Sequence, residues 1–104
     1  MYLEIISPEA ILYQGEVKSI SFPGSYGDFQ VLDNHAPIVS TLKKGKVKIQ
    51  GKMSINKEVK KYFNVSDKET FLDINSGTVE MSNNNVTLLI CLLYTSPSPR
   101  DGLL

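Results

Sequence analysis

Few residues in this sequence have the chemistry that catalysis or metal binding requires. His35 is the single histidine and Cys91 the single cysteine among the 104 residues. A nucleophilic triad needs a histidine beside an activated serine or cysteine. His35 instead lies among turn-forming residues in Asp33-Asn34-His35-Ala36-Pro37, and no GxSxG motif occurs. We therefore expect no catalytic residue, no metal site and no bound cofactor, and we interpret His35 as a turn residue that bonds the backbone or faces a partner.

Lysines are concentrated in one stretch of the chain. Residues 43–61 contain eight lysines and one acid, whereas residues 1–42 contain one lysine and five acids. One interpretation is a contact with an acidic partner or with phosphate head groups. The other is a solvated outer strand whose lysines discourage edge-to-edge pairing. The alternation of lysine with apolar residues over 46–49 favours the second interpretation.

The elements that must position these residues are predicted to be β-strands. Short runs of β-branched and aromatic residues alternate with polar ones, and turn residues separate them at roughly 8–12-residue spacing, as in a sandwich or barrel. Turns are predicted at Pro23-Gly24, at Asn75-Ser76-Gly77 and at Asn83-Asn84-Asn85, where asparagine tolerates positive φ. Residues 58–63 fit either a helical turn or a strand. The residues predicted to face the core are Phe22, Phe29, Val47, Ile74 and Val86.

Composition narrows the class of protein. A hydrophobic fraction of 41% is enough for a core. The formal net charge is zero, whereas a dedicated nucleic-acid binder is usually basic. No apolar run approaches the ~18–20 residues that cross a bilayer, and the N-terminus lacks the basic start and apolar stretch of a secretory signal. We expect a protein that stays in the cytosol or sits on the cytosolic face of a membrane through a partner.

The last fourteen residues differ from the rest. Residues 91–104 read CLLYTSPSPRDGLL, and the first eleven resemble a translation of the transposon-end adapter that is used to build sequencing libraries. We therefore divide the chain into a domain at 1–90 and a non-native tail at 91–104, with the last strand able to extend through Leu92 and Leu93. A native proline-rich tail is the alternative.

A resemblance to a known family rests on motifs in order along the chain. They are Leu3-Glu4-Ile5-Ile6-Ser7-Pro8-Glu9, Gly15-Glu16-Val17, the stretch from Phe22 to Pro37 that ends in Asp33-Asn34-His35-Ala36-Pro37, Leu42-Lys43-Lys44-Gly45, Ser76-Gly77-Thr78-Val79-Glu80 and Asn85-Val86-Thr87-Leu88-Leu89. Together they resemble the epsilon subunit of F-type ATP synthases. The region around 51–68 is longer than in many members and has no assigned role.

The resemblance implies a fold and a function. The implied fold is all-β, a ten-stranded β-sandwich of two five-stranded sheets, without the C-terminal helical hairpin that many members add. The implied function is that of a non-catalytic rotor subunit in the central stalk, which binds the gamma subunit and the c-ring and couples rotation to ATP synthesis. The implied location is peripheral, on the cytoplasmic face of the bacterial inner membrane.

Three residues are expected at interfaces. By position, the loop from Gly24 to Asp28 matches the family loop that meets the c-ring, so Tyr26 and Asp28 are interface candidates, as is His35. Turn chemistry alone is an equal explanation for Tyr26 and Asp28. A sandwich module that binds nucleic acid or carbohydrate remains the alternative, and it requires exposed aromatic residues beside the lysines.

Overall fold

The computed structural model describes residues 1–51, 53–66 and 68–92, which form nine strands and one short 3₁₀ helix. The strands are β1 (Tyr2–Ile6), β2 (Ile11–Glu16), β3 (Ser19–Phe22), β4 (Phe29–Leu32), β5 (Ile38–Leu42), β6 (Gly45–Gln50), β7 (Phe63–Val65), β8 (Glu69–Ser82) and β9 (Asn85–Leu92), with the 3₁₀ helix at Lys60–Tyr62. The predicted all-β class is confirmed.

The long strand β8 belongs to two sheets. Its first half, residues 69–74, pairs with β6 on one side and β7 on the other, and β6 continues to β3 and β4. Its second half pairs with β5 and β9, and β9 continues to β1 and β2. Each half thus lies within five strands, in the orders β7-β8-β6-β3-β4 and β5-β8-β9-β1-β2. We call the first set sheet B and the second sheet A.

The resemblance implies ten strands, whereas the structure has nine. The difference arises because β8 is a single strand whose two halves lie in different sheets. The register of β8 against β9 shifts between Ile74 and Ser76, so the two halves of β8 act as separate strands. The sequence prediction of a turn at Asn75-Ser76-Gly77 is wrong, because these residues stay within strand β8: Ser76 and Gly77 pair with Cys91 and Ile90, and Asn75 lies at the register shift. A Cβ on Gly77 would lie 2.7 Å from the Leu89 carbonyl oxygen, so glycine here permits the close approach of β9.

Both sheets contribute inward-facing apolar residues to one core. Phe22, Val47, Ile74 and Val86 are buried, as predicted from strand alternation. Phe29 is only half-buried; its ring packs against Phe22 with the centroids 5.3 Å apart. Phe29 begins the four-residue strand β4, which is the last strand of sheet B on that side among the described residues.

Local chemistry explains most of the remaining connections. Asn83 and Asn84 have φ of 51° and 62° in the β8–β9 hairpin, as the asparagine run predicts. Residues 58–63 combine both expected structures, since the 3₁₀ helix runs directly into β7.

Strand β9 continues two residues past Ile90 and pairs Cys91 with Ser76 and Leu92 with Ile74. The rest of the predicted tail lies outside the described residues.

The lysines of β6 are not on an edge strand. Val47 and Ile49 are buried while Lys46 and Lys48 point outward, so the predicted alternation is confirmed. However, β6 lies between β3 and β8. The interpretation that these lysines prevent edge-to-edge pairing is therefore wrong.

Candidate interaction surfaces

The loop between β3 and β4 presents two of the three predicted interface residues. The Gly27 amide donates to the Gly24 carbonyl at 3.1 Å, which closes a tight turn around Tyr26. Gly27 has φ of +132°, a region that side chains disfavour. A Cβ on Gly24 would lie 2.8 Å from the Phe29 ring, so this position also requires glycine. The Tyr26 side chain is 99% exposed as a result.

This loop is held by the end of β5. The Ser25 amide donates to the Thr41 carbonyl at 3.0 Å, and the Lys43 amide donates to the Pro23 carbonyl at 2.9 Å. The Thr41 hydroxyl also donates to the Ser25 hydroxyl at 2.9 Å. Tyr26 therefore projects from a backbone that is fixed on both sides. Asp28, next to the inward-leaning Phe29, is exposed as strand alternation predicts.

His35 lies at the other end of β4. Its amide donates to the Leu32 carbonyl at 3.1 Å, and its Nδ1 lies 2.8 Å from the Ala36 carbonyl oxygen, in position to donate to it. This is the backbone-bonded turn histidine that the sequence suggests, and its ring is exposed.

Strand β4 separates His35 from the other two candidates. With a rise of about 3.3 Å per residue, Asp28 and Asp33 are roughly 17 Å apart along the strand. Tyr26 and Asp28 thus share one end of the sandwich, next to Lys43. His35 belongs to the opposite end, where the Asn34 amide donates to the Asn84 side-chain oxygen at 2.8 Å. The structure does not bring the three residues together.

A charged cluster at the His35 end was not predicted from the sequence. The Met1 ammonium donates to the Asp33 carboxylate and to the Val17 carbonyl, the latter at 3.3 Å, and Glu16 lies 3.6 Å away. The hydrogen bond to Asp33 raises the pKa of the Met1 amino group, and the same bond lowers the pKa of Asp33. These partners are distant in sequence, so no local motif could indicate the cluster.

Charge divides unequally between the sheets. The strands β1, β2, β5 and β9 and the second half of β8 contain Glu4, Glu16 and Glu80 but no lysine or arginine. On sheet B, Lys48 pairs with Glu69 at 2.8 Å and Lys46 lies 3.9 Å from Asp73. The hydrogen bond from Lys48, with one from Gln50, lowers the pKa of Glu69.

Away from the Tyr26 loop, the aromatic residues that contact lysines are not freely exposed. Phe71 and Tyr62 are half-buried, with the Lys46 ammonium 6.0 Å from the centre of the Phe71 ring and the Lys61 ammonium 5.2 Å from that of Tyr62. A module that stacks bases or sugars needs open aromatic faces. This arrangement gives no support to the alternative of a nucleic-acid or carbohydrate module.

The described residues contain neither a grouped set of metal ligands nor a membrane-spanning helix. Within 1–51, 53–66 and 68–92, no three histidine, cysteine or acidic side chains are grouped so that they could hold a metal ion. Across the same residues, no helix has the length and apolar character needed to span a membrane.

Comparison with known proteins identifies the family. Residues 1–67 match the model of the ATP synthase delta/epsilon chain β-sandwich domain. The chain belongs to this family. The resemblance inferred from the motifs at residues 22–37 is thereby confirmed, since these motifs lie within the matched region.

Curated relatives of the delta/epsilon family agree with this result. The chain is 38% identical to the ATP synthase epsilon chain of Nitratiruptor sp. over 89 residues, which are 85% of this chain and 58% of the relative. It is 39% identical to that of Leptospira interrogans over 87 residues, and 50% identical to that of Campylobacter jejuni over 56 residues, which are 54% of this chain and 43% of the relative. The chain thus spans less than two thirds of the length of these relatives.

One solved structure has the same fold. A chain in the central stalk and c-ring structure of the Tetrahymena thermophila mitochondrial ATP synthase superposes with a TM-score of 0.66, covering 90% of this chain and 65% of that chain at 17% identity. At this level of identity, the comparison shows a shared fold.

Proposed function

We propose that this domain is part of a non-catalytic rotor subunit of a proton-translocating F-type ATP synthase. In this role it contacts the gamma subunit and the c-ring in the central stalk and couples c-ring rotation to ATP synthesis. The family match over residues 1–67 carries the proposal. The bacterial relatives named ATP synthase epsilon chain support a peripheral place on the cytoplasmic face of the bacterial inner membrane.

The construction of the domain supports a mechanical role. Two five-stranded sheets that share β8 distribute force over many backbone hydrogen bonds, and a rotor part needs stiffness rather than reactive groups. The described residues contain no nucleophile–histidine pair, since His35 bonds the Ala36 carbonyl in an exposed turn. We therefore assign the domain to transmission of torque, with ATP chemistry done by other subunits.

We assign Tyr26 and Asp28 to the c-ring contact. Both are exposed on a loop that β5 holds in place. Asp28 offers a carboxylate to a cationic loop of the ring. His35 lies at the opposite end of β4 and therefore falls outside the same contact.

We assign the gamma contact to the outward face of sheet A. Ile11, Val39 and Leu89 are 54%, 70% and 49% exposed there, beside the acidic side chains of Glu4 and Glu80. The pairings of Ile6 with Ile11 and Leu89, and of Val39 with Glu80, place these side chains on one surface. An exposed apolar patch with charged residues at its rim is typical of a protein–protein interface.

Capture by a tagged gamma subunit tests this assignment. We expect the full chain to co-purify with gamma and Leu89→Asp to lose capture, because a charge would be buried at the interface. Val65→Asp is the matched control, because Val65 is 57% exposed on β7 of the other sheet. Failure of the parent chain to bind gamma contradicts the proposed function. Equal loss in both variants contradicts the assigned face.

A further inference from the structure

We propose that the lysines around the bend of β8 form a surface that docks on anionic phospholipid head groups. The cluster, which we call the lysine corner, consists of Lys43, Lys44, Lys60 and Lys61. All four side chains are exposed. The choice of a lipid surface rests on the proposed function, which turns this end of the domain towards the membrane sector.

Two segments bring these lysines to the same end of sheet B. Lys43 and Lys44 connect β5 to β6, and the flanking residues Leu42 and Gly45 pair with Gly77 and Ile74 on either side of the bend. Lys60 and Lys61 directly precede β7, whose first residue pairs with Leu72. Because β7 and β8 are antiparallel, the chain before β7 lies on the side towards the bend.

The lysine corner has little acidic compensation from its own strands. Lys46 and Lys48, the neighbours on β6, are paired with Asp73 and Glu69. In the part of the chain that the structure describes, no carboxylate forms a salt bridge with any lysine of the corner. Glu9 and Asp28 lie at this end as well, on separate loops. The four exposed ammonium groups outnumber the acidic side chains of Glu9, Asp28 and Glu58, so this edge keeps a net positive charge that attracts a negatively charged surface.

In the chain outside the complex, where the c-ring does not cover it, Tyr26 adds a second feature that suits a membrane surface. Its side chain is 99% exposed at the tip of the β3–β4 loop. In the same loop, the Pro23 carbonyl accepts a hydrogen bond from the Lys43 amide. A tyrosine side chain has an apolar ring and a polar hydroxyl, and such side chains lie preferentially at the head-group level of a bilayer. The loop and the lysine corner are thus adjacent, and they present an aromatic ring beside exposed ammonium groups.

The geometry favours a lipid surface over nucleic acid. The four lysines of the corner lie on two connections instead of lining a groove. Tyr26 is one open ring beside them, whereas Tyr62, next to Lys61, is half-buried. A diffuse anionic surface needs neither a groove nor open rings. It attracts basic residues within a Debye length, roughly 30 Å at 0.01 M salt and 8 Å at 0.15 M.

Vesicle flotation of the full chain tests the proposal. The probes are vesicles of phosphatidylcholine alone and of phosphatidylcholine with phosphatidylglycerol, at low ionic strength. We expect binding to the anionic vesicles only, reversed by salt. The variant Lys43→Gln/Lys44→Gln should bind less tightly by about fivefold for each lysine removed. Tyr26→Ala should also weaken binding.

A matched variant distinguishes binding through the lysine corner from binding that depends only on the total charge of the chain. Lys18→Gln/Lys68→Gln removes the same charge from two exposed lysines at the opposite end of the sandwich, near Met1 and Gly51. This control should bind as the parent does. Equal loss in both double variants, or no binding of the parent to anionic vesicles, overturns the proposal. Tighter binding to a single-stranded oligonucleotide than to the vesicles also overturns it.

Gamma capture separates this proposal from the proposed function. The Lys43→Gln/Lys44→Gln variant should be captured by gamma as well as the parent, because the gamma contact is assigned to sheet A. Vesicle binding without gamma capture would support the lysine corner and contradict the stalk assignment. Gamma capture without vesicle binding would overturn the lysine corner and leave the stalk assignment standing.

Discussion

At the scale of single residues, glycine sets the shape of the loop that carries Tyr26. Gly24 has no room for a side chain, since its Cβ would lie 2.5 Å from the Gly27 carbonyl oxygen. We expect Gly24→Ala to lower the free energy of unfolding by about 1–3 kcal/mol through displacement of the loop and of Phe29. Urea denaturation measures the change. Tyr26→Ala is the control and should leave stability unchanged, because that side chain is fully exposed.

Phe22 and Phe29, whose rings pack against each other at a tilt, should differ in their contribution to stability. Phe22 is 1% exposed, and Phe22→Ala should cost about 3–5 kcal/mol. Phe29→Ala should cost less, about 2 kcal/mol, because the ring is half-buried and loses mainly its contact with Phe22. Chemical denaturation of both variants tests the order. A larger loss for Phe29→Ala would mean that the strand β4 depends on this ring for its position.

The ion pair on sheet B predicts a dependence of stability on pH. Hydrogen bonds from Lys48 and Gln50 hold the pKa of Glu69 below its ordinary value of 4.5. Stability from this group is therefore fully present above pH 4.5 and is lost as the pH falls through the lower, folded-state pKa. We expect Glu69→Gln to flatten the acid limb of a melting-temperature profile. Glu80→Gln, an exposed change on the same strand, is the control and should leave the acid limb as steep as in the parent.

At the scale of elements, strand alternation predicts most of the core but does not predict β8. The alternating residues on either side of Asn75-Ser76-Gly77 identify both halves of the strand correctly. The residues between them have turn chemistry, and tertiary pairing with β5 and β9 overrides it. Similarly, the position of β6 inside its sheet depends on long-range pairing with β3 and β8, which a local pattern does not contain.

For the candidate interface residues too, the sequence predicts local features but not long-range contacts. Exposure of Asp28 follows from its place beside Phe29, and the backbone-bonded state of His35 follows from its turn sequence. Their separation by β4 depends on tertiary structure. The Met1–Asp33 contact joins residues that are 32 positions apart, and it becomes visible only in the folded chain.

The end of β9 gives a prediction about the proposed tail. The ladder continues to Leu92, so we expect removal of residues 93–104 to leave the melting temperature unchanged within a few degrees. Removal of residues 91–104 should lower the melting temperature slightly more, because two further pairings with β8 are lost. Thermal melts of the two truncations measure the difference. A collapse of the fold after the first truncation would contradict the assignment of 91–104 as a non-native tail.

At the scale of the whole molecule, the two sheets present different chemistry. Sheet A presents apolar and acidic side chains, whereas sheet B and its connections present lysines. Such a division gives the domain two chemically distinct surfaces for two partners. In the proposed function these partners are gamma on the face of sheet A and the c-ring at the end that carries Tyr26.

Proton pumping tests the central claim most directly. Vesicles are reconstituted with a bacterial F-type ATP synthase that lacks its own epsilon chain, and the full chain is added at low and at high salt. We expect the chain to restore ATP-driven pumping. Asp28→Lys should pump less at low salt, since a reversed charge at the c-ring contact repels. Ser66→Lys adds a positive charge to an exposed position at the far end of sheet B and should match the parent. No restoration by the parent chain would contradict the rotor function, and equal pumping by parent and Asp28→Lys would remove this loop from the coupling contacts.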